Sequence, residues 1–545
     1  MTDGPLLVFG PRSTTYDFGP HHPLTPRRFG PGIDLLRTVG AVPGLAPEPA
    51  DDPELFAIHA ARYIAAVRRL SAEPNGRPAA GFAAYGDDPP FAGMHEAAAA
   101  VAGGSLQAME ALLRGDVEHA FHPGGGLHHA MPDRASGFCI YNDPALAIAA
   151  ARRAGKRVLY VDLDVHHGDG VQAIHYDDPG VMTFSIHESG RTLFPGTGFV
   201  GELGDGAAAG SSINLPLEAE TGEAAWLAGV RGLLPQLAAF FGPDLIVSQH
   251  GADSHAWDPL AHLLVTTTAM VEAAGLVDAV AHRHAGGRWL ATGGGGYDVY
   301  RVVPRTWTLT WLAGAHRQAP EQTDLAWRSR WAADALRYDQ SPPPERFLDA
   351  PNGGLPDSDD QRLAEARSLA TLAEVRSTVL PRLLLVAEER GWWDPMAPVS
   401  PGVRQGADAV GTSTIIPELD VDLLDRLGVA SRTMPPADPD AARQLLLAAI
   451  LDGARISGAA VGNQLVGVAV AAPAADGAWE LLWVGVAPDH RRQDMASALL
   501  AALTRQPLTA RVGVAERDVV DPLPIADRLA IADRLLGRHG IARSK

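Results

Sequence analysis

Val158-Leu-Tyr-Val-Asp-Leu-Asp-Val-His-His-Gly-Asp-Gly170 is the stretch that decides how the rest of this chain is interpreted. Its first four residues are apolar and partly β-branched, which is typical of a strand buried on both faces. Asp162, Asp164 and His166 follow two residues apart, so an extended backbone points them to the same side. Two carboxylates and an imidazole at a strand end can bind a divalent metal. A solvated polar strand end is disfavoured, because charged groups beside a core are costly.

Strands and helices alternate on both sides of this stretch, which predicts an α/β domain with a mostly parallel sheet. The predicted strands are Leu6–Phe9, Val158–Val161, Val181–His187, Asp244–Gln249 and Arg288–Thr292, and the predicted helices are residues 53–70, His95–Leu113 and Glu223–Phe241. Polar clusters follow several of these strands. Because parallel sheets place binding sites at the carboxyl ends of their strands, we expect these clusters to meet.

The composition limits the number of domains and the class of partner. At 545 residues the chain exceeds one ordinary core, so two or more domains are expected. The formal net charge of -19 argues against nucleic acid as a partner. The single cysteine, Cys139, excludes an internal disulfide framework and fits a reducing cytoplasm. We find no apolar run of bilayer length and no signal peptide, so no membrane association is expected.

A metal site at Asp164 and His166 needs a third ligand from another part of the chain. Asp253 is the best candidate, because it ends another predicted buried strand. Three ligands with an open position are what a hydrolytic metal needs, and two oxygens with one nitrogen suit Zn²⁺ but would also accept Fe²⁺ or Co²⁺. Taken alone, Asp253 could equally be a turn or helix-capping acid, so only the combination with Asp164 and His166 favours a metal.

A pair of histidines, His128 and His129, follows a triple glycine. Histidine is the usual general acid or base near neutral pH, and Asp162 and Asp169 could stand behind the two rings to fix their tautomers. Taken alone, adjacent histidines in a loop are as readily surface residues.

An aromatic set completes the candidate residues. Tyr297 follows four glycines, and a phenol on such a hinge can donate a hydrogen bond to a developing oxyanion. The glycines fit neither the Walker nor the dinucleotide pattern, which excludes a phosphate loop and leaves an ordinary glycine-rich turn as the alternative. Phe138 and Phe194 could wall an apolar channel, although most phenylalanines belong to cores.

Six ordered motifs resemble the zinc-dependent histone deacetylase family: His128-His129-Ala, Gly137-Phe-Cys139, Asp162-x-Asp164-x-His166-His-Gly-Asp169, Phe194-Pro-Gly-Thr-Gly198, Gly251-Ala-Asp253 and Gly293-Gly-Gly-Gly-Tyr297. The bacterial acetoin-utilisation, AcuC-like branch is most similar, partly through the run from Gln249 to Leu260. The resemblance covers roughly the first seven-tenths of the chain, in keeping with one large domain. It implies an arginase/deacetylase-like fold, a mostly parallel sheet flanked by helices.

The resemblance also implies a role for each matching residue. Zn²⁺ would be bound by Asp164, His166 and Asp253, and a potassium ion by Asp162, Ser185 and the backbone of Asp164 and His166. His129, paired with Asp169, would act as general base and then as general acid, while His128, paired with Asp162, would assist electrostatically. Tyr297 would polarise the acetyl carbonyl together with the metal. Substrate contacts fall to Asp88, Gly137, Phe138, Phe194 and Leu260, and Arg28 belongs to an internal acetate channel.

The implied reaction is hydrolysis of N-ε-acetyl-lysine in proteins, which releases acetate. Acetylated acyl-CoA synthetases, such as acetyl-CoA synthetase, are the expected protein partners. Deacetylation of small acetylated amines such as polyamines is the enzymatic alternative. A non-catalytic acetyl-lysine or acyl-CoA sensor is the alternative of a different class.

The C-terminal part resembles a smaller α+β domain of the GNAT acetyltransferase type. Ala478 to Gln493 fits the strand that leads to the acyl-CoA pyrophosphate loop, and Leu499–Leu503 fits the following helix. Asp494 stands where that loop carries glycine, and a carboxylate there would repel pyrophosphate. No tyrosine follows Tyr338, so the usual acid is missing. We expect a degenerate module for interaction or regulation, with an active acetyl-CoA-dependent enzyme as the alternative.

The expected boundaries follow from composition. Residues 1–393 form the deacetylase-like domain, 394–425 a linker rich in Pro, Gly, Ser and Thr, and 426–545 the GNAT-like domain.

Overall fold

The computed structural model describes residues 4–355, residues 358–390 and a set of strands nearer the C-terminus. The chain divides into two compact units, Met1–Trp392 and Trp393–Lys545. The expected linker at 394–425 lies outside the described residues except for Thr414–Ile416, which forms a strand of the second unit's sheet.

The sheet of the first unit is parallel throughout, as the alternating pattern predicts. Among the described residues its strands are β1 (Leu6–Val8), β2 (Pro43–Leu45), β3 (His119–His122), β4 (Val158–Asp162), β5 (Val181–Glu188), β6 (Ser212–Leu217), β7 (Leu245–Gln249) and β8 (Trp289–Thr292). Their order is β2-β1-β3-β8-β7-β4-β5-β6. The opening stretch is therefore central: Asp162 pairs with Gln249 of β7 on one side and with Ser185 of β5 on the other.

Helices connect and cover these strands. In the described part they are α1 (Phe29–Thr38), α2 (Asp52–Leu55), α3 (Ala61–Ala72), α4 (Met94–Arg114), α5 (Asp143–Arg153), α6 (Asp169–Ile174), α7 (Glu223–Phe241), α8 (Thr267–His284), α9 (Val303–Gly314), α10 (Leu325–Arg337) and α11 (Asp359–Glu389), with short 3₁₀ turns at Pro11–Thr14, Pro26–Arg28, Gly206–Ala208 and Pro351–Gly354. The alanine-rich α4 ends at Gly115, whose φ of 76° is left-handed and terminates the helix. The helices predicted at His95–Leu113 and Glu223–Phe241 are confirmed.

The helix predicted over residues 53–70 is wrong as a single element. It is divided into α2 and α3, with His59 between them. The His59 ring makes a 3.1 Å hydrogen bond to the carbonyl of Met131, and the amide of Ala60 donates to Pro132. These contacts with a distant loop outweigh the local helical preference.

Among the described residues, α7 is the one helix whose length and apolar composition would allow it to cross a membrane. However, 78% of its most apolar window is buried inside the protein. It packs against β5, α8 and α11, as core helices do.

Asp349 joins several elements around the buried guanidinium of Arg305. Its carboxylate accepts hydrogen bonds from Arg305 Nη1 (2.7 Å), His255 Nε2 (2.8 Å) and Thr267 Oγ1 (2.7 Å). Burial alone would raise the pKa of Asp349, but the bond from His255 and the charge of Arg305 hold it well below its usual range. A depressed folded-state pKa contributes stability that is present above about pH 4 and is lost as the pH falls.

We expect Asp349→Ala to lower the free energy of unfolding at pH 7 by about 3–5 kcal/mol, because it leaves a buried guanidinium unpaired. Urea unfolding followed by tryptophan fluorescence measures this change. Asp359→Ala, which removes an exposed ion pair with Arg362, is the control and should leave the midpoint unchanged. An unchanged midpoint for Asp349→Ala would contradict the expectation.

The second unit contains a mixed sheet. Its described strands are β9 (Thr414–Ile416), β10 (Gly428–Val429), β11 (Arg455–Val461), β12 (Gln464–Pro473), β13 (Trp479–Val486), β14 (Leu508–Ala510) and β15 (Ala542–Arg543). They run in the order β15-β14-β13-β12-β11-β9, with β10 beside β12. Strand β13 confirms the strand predicted within Ala478–Gln493. Asp494 and the helix predicted at Leu499–Leu503 lie outside the described residues.

Candidate active site

The polar residues that follow β3, β4, β7 and β8 meet at the carboxyl edge of the first sheet, because these four strands are neighbours. They surround a cavity of about 230 Å³. Predicted site residues in its lining are His128, His129, Gly137, Phe138, Asp164, His166, Phe194, Leu260 and Tyr297. Asp162, Asp169 and Asp253 contact members of this lining from behind.

The predicted metal ligands form one cluster. The ligand atoms of Asp164, His166 and Asp253 lie within 4.8 Å of one another. His166 Nδ1 is 3.0 Å from Asp164 Oδ1 and 3.2 Å from Asp253 Oδ2. Among the described residues, the buried Asp253 Oδ2 has no hydrogen-bond partner of acceptable geometry. A buried carboxylate oxygen without a donor is costly, so the donor set fits a divalent cation.

Other groups fix the two carboxylates. Gln249 Nε2 and the amide of Gly295 donate to Asp164 Oδ2 at 2.6 and 2.9 Å, and the amide of Val165 donates to Asp253 Oδ1 at 3.1 Å. Each acid thus keeps its other oxygen toward His166. Such outer hydrogen bonds orient metal-binding carboxylates.

The pKa shifts in this cluster show that its buried carboxylates favour a nearby positive charge. Burial lowers the pKa of His166, but the hydrogen bond to Asp164 and the nearby charge of Asp253 outweigh this and raise it to about 10. Burial and the charge of Asp164 raise the pKa of Asp253 to about 6. Although burial opposes it, the charges of His128 and His166 hold the pKa of Asp164 well below its usual value. Two buried carboxylates that face one imidazole in this way favour a bound cation.

The four glycines before Tyr297 permit close approach rather than act only as a hinge. A Cβ on Gly295 would overlap Asp253 Oδ2, and one on Gly294 would overlap the amide of Gln249. Gly294 and Gly296 also have φ values of 144° and 129°, which L side chains rarely adopt.

We expect Gly295→Ala to weaken metal binding roughly 10-fold or more, because the added methyl displaces the Asp253 carboxylate. Metal retained after equilibration against a zinc buffer measures the effect. Gly232→Ala is the matched control, since a Cβ there meets nothing within 4 Å. Equal metal retention in the two variants would refute the expectation.

Each of the two histidines is hydrogen-bonded to an aspartate carboxylate. His128 Nδ1 is 2.8 Å from Asp162 Oδ2, and His129 Nδ1 is 2.6 Å from Asp169 Oδ1. The Nε2 atoms of the two rings are 3.0 Å apart. All four side chains are buried, so the alternative of surface histidines is wrong.

The two rings hold their protons differently. Burial lowers the pKa of His128, but Asp162 and Asp164 outweigh it and raise the value to about 9. Burial and the positive charge of His128 lower the pKa of His129 to about 4. At neutral pH, His128 therefore carries the extra proton and His129 is a neutral base. The Nδ1 hydrogen of His129 donates to Asp169, and its Nε2 lone pair faces the Nε2 hydrogen of His128 at 3.0 Å, so Nε2 is the proton-accepting atom of the ring.

Aromatic rings form the cavity walls. Phe138 packs edge-on against Tyr297, with ring centroids 5.9 Å apart, and Phe194 packs edge-on against His129 at 5.0 Å. Burial, followed by the charges of Asp253 and Asp164, raises the pKa of Tyr297 well above its usual value. The phenol therefore stays protonated and remains a hydrogen-bond donor.

Two predicted substrate contacts lie elsewhere. Asp87, not Asp88, lines the cavity; Asp88 is buried, and burial followed by the charge of Asp87 raises its pKa to about 8. Consecutive residues in this loop differ in exposure, which the sequence pattern did not resolve. Arg28 is buried behind the active-site cavity, and its Nη1 donates a hydrogen bond to the carbonyl of Gly294 at 2.7 Å. Its side chain also lines a second, smaller cavity of about 20 Å³.

Ser185, the remaining predicted potassium ligand, lies beside Asp162 in the sheet. Its hydroxyl is 2.8 Å from His187 Nδ1, and His187 Nε2 is 3.0 Å from the carbonyl of Gly198. Because that carbonyl can only accept, His187 Nδ1 is the acceptor and the Ser185 hydroxyl donates to it. The lone pairs of the Ser185 oxygen thus stay available.

The sequence reasoning missed three supporting residues. Tyr160 donates to Asp162 Oδ2 at 2.6 Å, and Gln249 donates to Asp164. Both could have been found, since Tyr160 shares the two-residue period of the opening stretch and Gln249 ends a neighbouring strand. Asp87 directly precedes the predicted Asp88 in the chain, and no sequence signal separates the two acids.

Comparisons with known proteins assign a family to each part of the chain. The profile described as "Histone deacetylase domain" matches residues 22–313, and that described as "Acetyltransferase (GNAT) family" matches residues 427–519. The acetoin utilization protein AcuC of Bacillus subtilis is 43% identical over 357 residues, 62% of this chain and 92% of that protein. AcuC of Staphylococcus xylosus is 35% identical, over 63% of this chain and 92% of that protein.

Solved structures give the same result. A crystal structure of an HDAC homolog complexed with SAHA has a TM-score of 0.60 and 28% identity, and covers 68% of this chain and 100% of that chain. An HDAC homolog from Aquifex aeolicus has a TM-score of 0.59 and 28% identity, and covers 68% of this chain and 99% of that chain.

Proposed function

Because the chain belongs to the histone deacetylase family, we propose that it hydrolyses the N-ε-acetyl amide of lysine side chains in proteins and releases acetate. The observation that carries this proposal is the convergence of three metal-type ligands, a histidine pair and a protonated tyrosine on one aromatic-walled cavity. Amide hydrolysis needs those three functions: activation of water, proton transfer and stabilisation of an oxyanion.

Asp164, His166 and Asp253 would hold the metal, which we propose is Zn²⁺, with Fe²⁺ or Co²⁺ accepted by the same ligands. When bound, the metal supplies Lewis-acid activation of water and of the acetyl carbonyl. The phenol of Tyr297 donates a hydrogen bond to the carbonyl oxygen as negative charge develops there.

Proton transfer falls to the histidine pair. Neutral His129 takes a proton from the attacking water on Nε2 and then gives it to the departing lysine amine. Asp169 keeps the other proton of His129 on Nδ1, 2.6 Å away. His128, protonated beside Asp162, contributes positive charge. We also propose a potassium ion at Asp162, Ser185 and the backbone of Asp164 and His166.

The cavity walls support a lysine side chain as substrate. Phe138, Phe194, Leu260 and the backbone of Gly137 line its sides, so that methylene groups can pack between them. Asp87 at the lining offers a carboxylate to the substrate backbone, the role expected of Asp88. Behind the metal ligands, we propose that Arg28 attracts the acetate product.

We further propose a role in acetoin or acetate metabolism, with acetylated acyl-CoA synthetases such as acetyl-CoA synthetase as cytoplasmic substrates. The names of the curated relatives support the first part. The second part rests on the family resemblance alone.

Acetate release from acetyl-lysine peptides, including peptides from acyl-CoA synthetases, tests the proposal. The protein is assayed as prepared, after chelation, and after separate addition of Zn²⁺, Fe²⁺ or Co²⁺. We expect activity to disappear with chelator and to return with metal, and Tyr297→Phe to serve as the inactive reference. Release that is insensitive to chelation would contradict a metal-dependent reaction.

Acetylpolyamines are the competing substrate class, and the exposed carboxylate of Asp87 at the cavity favours testing them, since it could pair with a second amine. They are assayed beside the peptides. A higher kcat/KM for acetylpolyamines than for every peptide would replace the protein-substrate proposal.

For the GNAT domain we propose an acyl-CoA sensing or interaction module without acetyltransferase activity. Calorimetric titration of the full chain with acetyl-CoA tests binding, and acetyl transfer to a peptide panel tests catalysis. Transfer above background would contradict the proposal.

A further inference from the structure

A second group of metal-binding side chains lies at the opposite edge of the first sheet. His119 begins β3, Asp278 and His282 are one turn apart near the end of α8, and His316 follows α9. One ligand atom from each lies within 4.8 Å of the others. Because the active-site residues follow the carboxyl ends of strands and His119 begins its strand, the two sites are separate.

The spacing of the ligand atoms fits a tetrahedral ion. Asp278 Oδ1 lies 2.8 Å from His119 Nε2, 3.3 Å from His316 Nε2 and 3.5 Å from His282 Nε2. The Nε2 atoms of His282 and His316 are 3.0 Å apart. Zinc–nitrogen bonds of about 2.0–2.1 Å place tetrahedral ligand atoms about 3.3 Å apart. These four separations, from 2.8 to 3.5 Å, scatter around that value.

Hydrogen bonds among the four side chains explain their arrangement less simply than a bound cation does. A neutral imidazole carries a hydrogen on only one nitrogen, and Asp278 Oδ1 can only accept. If His282 and His316 both donated to Asp278, their hydrogens would face each other across 3.0 Å. Without a cation, the histidines must therefore adopt different tautomers. A cation can instead bind the Nε2 lone pairs of all three rings, each with its hydrogen on Nδ1.

We propose that His119, Asp278, His282 and His316 form a structural site for a divalent transition-metal ion of the zinc type. Three imidazoles and one carboxylate fill a tetrahedral shell without an open position, and imidazole-rich ligands disfavour Ca²⁺ and Mg²⁺. The side chains of His119 and Asp278 are 5% and 13% exposed, whereas those of His282 and His316 are 38% and 57% exposed. An ion can therefore reach the site from solvent on the side of His282 and His316. The bound ion ties β3, α8 and the segment after α9 together.

Zinc content of the full chain in an Asp164→Ala background tests this site, because that substitution removes a ligand of the active-site cluster. Chelator-treated protein is equilibrated with Zn²⁺, desalted and analysed by mass spectrometry of the metal. We expect about one zinc per chain in Asp164→Ala and none after His282→Ala and His316→Ala are added. Loss of two ligands should weaken binding more than about 100-fold. The Zn²⁺-induced rise in the thermal midpoint should disappear in parallel.

His262→Ala in the same background is the control, since His262 is an exposed histidine paired with a single carboxylate, Glu188. It should keep its zinc. A pair of His282→Gln and His316→Gln substitutions, with circular dichroism, separates ligand loss from misfolding. No stoichiometric zinc in Asp164→Ala, or unchanged zinc in folded variants lacking both histidines, would overturn the proposal.

Discussion

Asp164→Ala is expected to remove the active-site metal and to lower acetate release by at least roughly 10³-fold. Asp164 Oδ1 faces the His166 ring at 3.0 Å, while its other oxygen is held by Gln249 and Gly295. Alanine removes a ligand that is already oriented. The remaining imidazole and carboxylate hold a divalent ion much more weakly.

Two measurements on the same preparation test this expectation. Zinc bound at the active site should fall together with acetate release from an acetyl-lysine peptide. Asp177→Ala, which removes an exposed aspartate on the loop after α6, should change neither. Full activity in Asp164→Ala would refute the metal assignment.

His129→Ala is expected to lower kcat by about 10³–10⁴-fold while the metal stays bound, because the base is lost and the ligands are not. Its low pKa of about 4 means that the ring is already neutral at pH 7 and can accept a proton. Asp169→Asn should cost less, since it disturbs the tautomer of His129 but leaves the ring in place.

His128→Ala provides the comparison for this prediction, because His128 is a neighbouring histidine that carries charge rather than acting as base. It should retain more activity than His129→Ala. The reverse order, with metal content unchanged in both variants, would exchange the two roles.

Much of the site could be predicted, although not because of regular side-chain spacing. Strand β4 ends at Asp162, so the expected two-residue period does not extend through Asp164 and His166; the bend that follows the strand carries both residues, and Asp253 follows the neighbouring strand β7. Parallel pairing alone makes such residues meet. The α/β sheet followed from the alternation of strands and helices.

The remaining features depend on contacts that have no local pattern. Nothing in the loop distinguishes Asp87 from Asp88 until its tertiary packing buries one of them. The pattern of residues 53–70 predicts one helix, and only the contact between His59 and Met131 in the folded chain explains why it is divided. In the second cluster, only Asp278 and His282 share a helical spacing, so His119 and His316 could not be associated with them.

Phe194 gives substrate recognition a thermodynamic signature. The residue is 40% exposed, although its ring stands edge-on to His129 in the cavity wall. A lysine stem that enters the cavity takes this apolar surface out of water, and loss of apolar hydration lowers the heat capacity. Association with acetyl-lysine ligands should thus carry a negative heat-capacity change, which becomes smaller when Phe194 is shortened to alanine.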